Sequence, residues 1–279
     1  MSSAILVIDV QQGLCEGEGR AFDWEGVIGR INQVTQKGRE AGAPVIFIQH
    51  EAATGSLERG TPAWRLATGL SVQPGDLTIP KTTPDSFLRT SLEAVLQARQ
   101  VERLIVCGMH TEFCVDTTVR RALALGYPVT LVDDAHTSAG NQVLTPEQVI
   151  QHHNVTLTDV TSFGPRVTRV STRALVIDPV RELGFTLRFQ TPDRWSDDEH
   201  RAFWDACIGE VERLGLTIGG GSGPRWDVFV ANRGPRRTVT PAERESLVSW
   251  LTANPDVSEL AAGPLEDAGS ADRDLRGVG

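Results

Sequence analysis

The chain has 279 residues, of which 40% are hydrophobic, 6% aromatic and 23% charged, and its formal net charge is −9. That length permits a sizeable core and about two domains, and the composition excludes collagen-like, wholly disordered and disulfide-scaffold classes. Both halves are net negative, which argues against a general nucleic-acid or DNA binder, although Arg233, Arg236 and Arg237 cluster locally. No stretch approaches the roughly 20 apolar residues of a membrane span. The N-terminus runs from Met1-Ser2-Ser3 straight into an apolar segment, so no signal peptide is expected. Four cysteines without close pairing fit a reducing, cytoplasmic setting.

The first 160 residues alternate strand and helix patterns. Ala4–Val10 (AILVIDV) reads as a buried parallel strand ending in Asp. Glu25–Ala41 places Val27, Ile28, Ile31 and Val34 at helical spacing, and Gly42 stops it. Pro44–Gln49 is a second buried strand. Residues 50–76 form an unusually long, Gly/Pro/Thr-punctuated connection, the kind that often binds ligands. Leu77–Pro80 is a short strand, Ser91–Ala98 a helix, Arg103–Gly108 a strong strand, Glu112–Gly126 a helix and Pro128–Val132 a strand. Thr145–His153 is a helix opened by a Thr-x-x-Gln capping box, and Asn154–Val160 reads as a last strand. This order predicts a three-layer α/β/α, Rossmann-like domain with a parallel sheet, whose ligands sit at the carboxyl ends of the strands.

Residues 161–180 show no firm pattern. Beyond them Phe185–Gln190 alternates like a half-exposed strand. Ser196-Asp-Asp-Glu199 opens a helix to about Leu214, with His200, Phe203, Trp204, Cys207, Ile208 and Val211 on its core face. Leu216–Ile218 and Trp226–Ala231 are strands flanking a Gly219–Gly223 turn. Thr240-Pro-Ala-Glu243 opens a second helix, and Val257–Leu260 closes the set. The β-α-β-β-α-β order predicts a small ferredoxin-like α+β domain. The expected boundaries are 1–165, a linker over 166–180, a second domain over 181–268 and a flexible tail over 269–279.

Three chemistry-bearing residues fall where strands should end: Asp9, Lys81 and Cys114. A cysteine in a helix's first turn gains thiolate character from the helix dipole and from a nearby lysine. A carboxylate in reach can take the thiol proton and return it to a leaving group. Each residue also has a plainer reading. An Asp can cap a loop or bind metal, a lone Lys is usually solvated, and a Cys at a helix start is often packing. Spacing alone leaves the set open.

The local sequence is more specific. CGMHTEFCVDTT over Cys107–Thr118, together with IDVQQG and KTTPDSF, closely resembles the isochorismatase-like cysteine hydrolase superfamily over residues 4–160. The resemblance implies Asp9 as general base and acid, Lys81 as the group supporting the pair, and Cys114 as nucleophile. It also implies a cis peptide at Met109–His110 and an oxyanion hole made of the backbone N–H groups of His110 and Cys114. The implied reaction is hydrolysis of a C–N bond in a small molecule. Isochorismatases proper act on a vinyl ether and lack the cysteine, so Cys114 favours the amidase-type branch. Nicotinamidases of this superfamily hold a metal with an Asp-x-His pair and a later His. Gln49-His50-Glu51-Ala52-Ala53 lacks that pattern, and no cofactor or metal is expected. The family commonly forms homo-oligomers.

Other residues near the motifs carry weaker expectations. Trp64, Phe87 and Phe22 are candidates to line a substrate slot, with loop packing as the alternative. Glu112 is read as favouring the helix N-terminus, with substrate contact as the alternative, Asp116 and Thr117 as stabilising the same helix, and His152-His153 as ending a helix near solvent.

Residues 181–267 resemble the YggL-like family, described as binding the large ribosomal subunit. The matching stretches are RELGF, AFWDACIGEV, LTIGGG, WDVFV, TPAERESLVSWL and VSEL…GPLED. They imply a ribosomal contact through the C-terminal domain, although that domain is acidic here. Trp195, Trp204, Trp226 and Trp250 read as core. The Gly219–Gly223 run lacks the Lys-Ser/Thr of a phosphate loop.

Overall fold

The computed structural model describes residues 2–179, 182–221, 224–233 and 238–268. The tail over 269–279, the basic residues Arg236 and Arg237, and part of the Gly219–Gly223 turn lie outside them. The chain divides into two compact units, Met1–Val180 and Arg181–Gly279.

The first unit is a six-stranded parallel sheet in the order β3-β2-β1-β4-β5-β6. Its strands are β1 (Ser3–Ile8), β2 (Val45–His50), β3 (Leu77–Lys81), β4 (Arg103–Met109), β5 (Val129–Thr137) and β6 (Val167–Val170). Its helices are α1 (Trp24–Glu40), α2 (Leu92–Ala98), α3 (Asp116–Ala124) and α4 (Pro146–Asp159). Successive strand residues face opposite sides of a sheet, and the buried runs obey this. Ile5, Val7, Val45, Phe47 and Ile105 pack with Val27, Ile28, Ile31 and Val34 of α1. Leu6, Ile8, Ile46, Ile48 and Leu104 pack with Leu92 and Leu96 of α2, Val119 and Leu123 of α3, and Leu157 of α4. Both faces are thereby covered, which explains why β1, β2 and β4 read as continuous apolar runs.

Two elements differ from the sequence reading. Asn154–Val160 is not a strand: the helix launched by the Thr145–Gln148 capping box runs on to Asp159. Its alternating apolar residues mimic a strand, but Val149, Asn154 and Leu157 are buried on one face while Val155 is exposed. For the same reason His152 and His153 lie within the helix, not at its end. The sixth strand comes instead from the connector: β6 pairs with β5 from Val129↔Val167 to Val132↔Val170.

The second unit is an antiparallel sheet in the order β10-β7-β9-β8, with a short β11 also paired to β7. These strands are β7 (Leu183–Gln190), β8 (Leu216–Gly219), β9 (Arg225–Asn232), β10 (Ser258–Ala262) and β11 (Glu266–Asp267). Helices α5 (Asp197–Arg213) and α6 (Pro241–Thr252) contribute Phe203, Cys207, Val211, Leu247 and Leu251 to a core with Phe185, Leu187, Val228 and Val230. Both helices begin with the capping boxes expected of them. Trp226 is buried and stacks on the half-buried Trp204 at 4.7 Å. Arg233 of the local basic cluster pairs with Glu212 at 3.0 Å. Among the described residues, no helix is long and apolar enough to cross a membrane.

Candidate active site

The strand order turns a scattered set of residues into a row. β3, β2, β1 and β4 are neighbours, and at their carboxyl ends stand Lys81, His50, Asp9 and, one turn beyond β4, Cys114. The sheet's topological switch lies between β1 and β4, where α/β folds open a ligand crevice.

Asp9 follows β1 directly. Its N–H donates to the Ile48 carbonyl at 2.9 Å, and its φ of 50° is a left-handed conformation that a non-glycine residue adopts at a cost. Gln11, fully buried, fixes this corner. Its Nε2 donates to the carbonyls of His50 and Trp64, and its Oε1 accepts from the His50 N–H. Beside β1, Gly108 has a φ of 127°, and a Cβ there would meet the Ile8 carbonyl oxygen at 2.1 Å. Only glycine lets β4 approach β1 so closely before the chain turns toward Cys114.

The Lys81 ammonium is the hub. It lies 2.6 Å from Asp9 Oδ2, 3.0 Å from the Thr83 carbonyl, 3.2 Å from Cys114 Sγ and 3.3 Å from His50 Nδ1. Both partners of the Lys81–Asp9 ion pair are almost wholly buried. Ligand atoms of Asp9, His50 and Cys114 lie within 4.8 Å of one another, a spacing that could hold a metal ion. They do not fit one here, because the ammonium already sits in hydrogen-bonding or near-contact range of all three.

Cys114 lies in a π-helical turn, Thr111–Val115, that leads into α3. The expected thiolate character is not what the surroundings produce. Burial, then the Asp9 charge, push its pKa up to about 12, against the opposing pull of Lys81. Desolvation and the Asp9 charge outweigh the pull of the lysine, which favours the neutral thiol. Burial and the adjacent Lys81 push His50 below its ordinary pKa, keeping that ring neutral as well. The peptide bond Met109–His110 is cis. Thr111 is fully buried and bonded to His136 Nδ1 at 2.9 Å, while His136 Nε2 meets Asn154 Oδ1 at 3.0 Å. Since Asn154 Oδ1 can only accept, Nε2 carries the proton and Nδ1 accepts from the Thr111 hydroxyl. That chain ties the turn carrying Cys114 to β5 and α4.

The three slot candidates separate. Trp64 is half-buried, its carbonyl held by Gln11 and Gln49. Phe22 is exposed and lines a surface recess with Glu18, Arg20 and Pro146. Phe87 is a core residue, stacked on Tyr127 at 6.2 Å. The Asp85 carboxylate accepts from its backbone N–H at 2.8 Å. Glu112 is not a simple helix-start charge. Its Oε1 accepts from the buried Ser138 hydroxyl at 2.8 Å. Asp116 pairs with Arg120 along α3, as expected. Sequence reading missed Gln11, Ser138 and His136 as site supports, and weighed His50 only as a metal ligand. Gln11 alone had a signal, its place in the IDVQQG motif.

Comparison with known proteins agrees with this geometry. The isochorismatase domain family matches residues 3–158, and the family of the YggL 50S ribosome-binding protein matches residues 169–269. A streptothricin hydrolase of Streptomyces noursei is 37% identical over 134 residues, covering 48% of this chain and 49% of that protein. The chain thus spans about half the length of the streptothricin hydrolases it matches. The ureidoacrylate amidohydrolase RutB of Caulobacter vibrioides is 30% identical over 176 residues, covering 50% of this chain and 78% of that protein. Among solved structures, an isochorismatase family protein aligns with a TM-score of 0.56 and 35% identity, covering 61% of this chain and 98% of its own. A cysteine hydrolase from Pseudomonas syringae aligns with a TM-score of 0.54 and 26% identity, covering 61% and 89%. With more than half its length matched by that domain, the chain belongs to the isochorismatase family.

Proposed function

We propose that the chain is a metal-independent cysteine hydrolase that cleaves a C–N bond of an amide, ureido or imide type in a small molecule. The observation that carries this reading is the Lys81 ammonium, bonded at once to the Asp9 carboxylate and the Cys114 sulfur. In the reaction, Asp9 takes the Cys114 proton as the sulfur lone pair attacks the substrate carbonyl carbon. The backbone N–H groups of His110 and Cys114 receive the developing oxyanion. The C–N bond then breaks, Asp9 returns the proton to the departing nitrogen, and a thioester remains on Cys114. Water, deprotonated by Asp9, attacks the thioester and releases a carboxylic acid and the thiol. Lys81 holds the Asp9 carboxylate in place and stabilises the sulfur as its charge forms. A thiol that is neutral at rest fits this scheme, because the proton leaves only when substrate and base are both in place.

The test is a screen of small amides, ureido compounds and cyclic imides with the native protein and with Cys114→Ala. Turnover by the native protein, absent in Cys114→Ala and accompanied by an acyl mass increment on the Cys114 peptide, is the expected result. Turnover that survives Cys114→Ala would point instead to vinyl-ether hydrolysis.

A second reading concerns residues 169–269 and rests on their family match to a 50S ribosome-binding protein. The strand order β10-β7-β9-β8 supports the ferredoxin-like assignment, and the unit is proposed as an accessory ribosome-contacting domain of a cytoplasmic homo-oligomer. Saturable co-sedimentation with 50S subunits across several salt concentrations is expected. Binding that only falls with salt and never saturates would refute it.

A further inference from the structure

Buried polar side-chain atoms in folded proteins are nearly always paired. Among the described residues, those without a hydrogen-bond partner are Asp9 Oδ1, Trp64 Nε1, His110 Nε2 and Glu112 Oε2. They are not scattered. Asp9 follows β1, Trp64 lies in the long connection after β2, and His110 and Glu112 follow β4. The Trp64 segment is tied to the Asp9 corner through Gln11, and His110 feels the charges of both Glu112 and Asp9. Among the described residues, the orphaned buried polar atoms thus all lie on segments the site draws on: the Asp9 corner, the connection that Gln11 ties to it, and the cis-peptide segment and turn that lead to Cys114.

Their chemistry defines a complement. An indole N–H can only donate, an ionised carboxylate oxygen can only accept, and an imidazole nitrogen does either. A molecule that satisfies them offers an acceptor oxygen to Trp64 and N–H groups to the carboxylates. Asp9 is committed to proton transfer under the reading above, so the recognising carboxylate is Glu112. Its side chain is held from behind: Ser138 Oγ donates to Oε1 at 2.8 Å and itself accepts from the Gly140 N–H at 2.8 Å. That leaves Oε2 as a fixed acceptor, two residues before the nucleophile and in the same turn. The local charge balance points the same way. Asp9 belongs to the site, Glu112 sits in the turn that carries Cys114 and its charge reaches His110, and Lys81 is already paired to Asp9. An anionic group would meet net repulsion, and an amino, guanidino or ureido nitrogen would be attracted.

We infer that Glu112 is the specificity-determining residue. Its free carboxylate oxygen binds an N–H-bearing nitrogen of the substrate, neutral or cationic, while the Trp64 indole N–H binds an oxygen, so the substrate class is nitrogen-rich small amides and not acidic ones. This rests on the hydrolase reading above.

The experiment uses the full chain and three thiol reagents: iodoacetamide, which is neutral and carries a carboxamide, the cation 2-bromoethylamine and the anion iodoacetate. Rates at Cys114 are read by peptide mass spectrometry and normalised to a free thiol such as N-acetylcysteine. Relative to that thiol, Cys114 is expected to disfavour iodoacetate at least tenfold against both nitrogen-bearing reagents. Glu112→Gln, which keeps shape and can still accept from Ser138, is expected to erase about tenfold of the bromoethylamine preference over iodoacetate and to lower the iodoacetamide rate by a smaller factor, because the neutral carboxamide loses a hydrogen bond but no charge attraction. Trp64→Phe is expected to lower the iodoacetamide rate selectively. Unfolding midpoints of both variants, with Glu112→Asp as a second change at that position, separate recognition from misfolding. An unchanged reagent order in folded Glu112→Gln overturns the inference alone. A Cys114 rate indifferent to Asp9→Asn and Lys81→Met overturns the hydrolase reading, and this inference with it.

Discussion

Lys81 has three N–H donors and four acceptors within 3.3 Å, so its contacts with His50 and Cys114 compete. This makes the lysine a responsive partner: as the sulfur gains charge, the ammonium can shift toward it from the neutral His50. The signs of the neighbouring charges give a split result. Asp9 raises the Cys114 pKa and Lys81 lowers it, so Asp9→Asn moves the pH profile of Cys114 alkylation to lower pH, while Lys81→Met moves it to higher pH. Under the proposed mechanism turnover is lost in both, because one removes the proposed proton carrier and the other the charge beside it. Lys81→Met also leaves Asp9 buried and unpaired, at a cost of roughly 3–5 kcal/mol in a denaturant titration. Asp9→Asn/Lys81→Met together recovers part of that loss. Asp9, Lys81 and Cys114 were legible because each falls at a strand or helix end within a recognisable motif. His50 was not, since only the neighbouring of β3, β2 and β1 brings its ring beside the ammonium.

At the scale of elements, the capping boxes of α4, α5 and α6 were readable, because a cap is a local hydrogen-bond pattern over four residues. The end of α4 and the existence of β6 were not. Whether Asn154–Val160 continues a helix depends on Leu157 finding the core under β5 and on Asn154 meeting His136, and both are distant contacts. The Thr111–His136–Asn154 chain gives a pH prediction. Burial pushes the His136 pKa down to about 4, below its unfolded value of about 6.5. Between these values the unfolded chain binds the extra proton, so stability is full above about pH 6.5 and falls as pH drops toward 4. The loss across that window is roughly 3 kcal/mol, measured as the urea unfolding free energy against pH. His136→Gln should flatten the dependence, even if it lowers stability throughout. The close approach of β4 to β1 gives another. Gly108→Ala places a methyl group 2.1 Å from the Ile8 carbonyl oxygen at a φ of 127°. The expected cost is roughly 3 kcal/mol or more, read from the unfolding midpoint.

For the whole molecule, each unit closes its own core. The apolar clusters on the two faces of the parallel sheet draw on residues before Val180, and the third draws only on residues after it. Leu187, fully buried under α5 and α6, tests the second core: Leu187→Ala should destabilise that unit by about 2–5 kcal/mol. Trp195, Trp204, Trp226 and Trp250 all belong to this cluster, so tryptophan fluorescence reports mainly on its unfolding. The change of texture after residue 180 was visible in sequence, because a parallel sheet buried on both faces and an antiparallel sheet with one open face impose different apolar patterns.

What the sequence alone determined is local or motif-borne: the alternation of strands and helices, the caps, the family and the motifs that hold Asp9, Lys81 and Cys114. Periodicity, capping and short motifs are written over a few adjacent positions, and a chain carries them before it folds. The tertiary structure decided the rest. It placed four consecutive strand ends in one row, set a lysine among a carboxylate, an imidazole and a thiol, and buried Phe87 in the core. Burial pushed the Cys114 pKa up against the expectation from its helix end, and one Glu112 carboxylate oxygen was bonded while the other stayed buried without a partner. Desolvation, register and strand order arise from contacts between distant residues, and no local pattern records them.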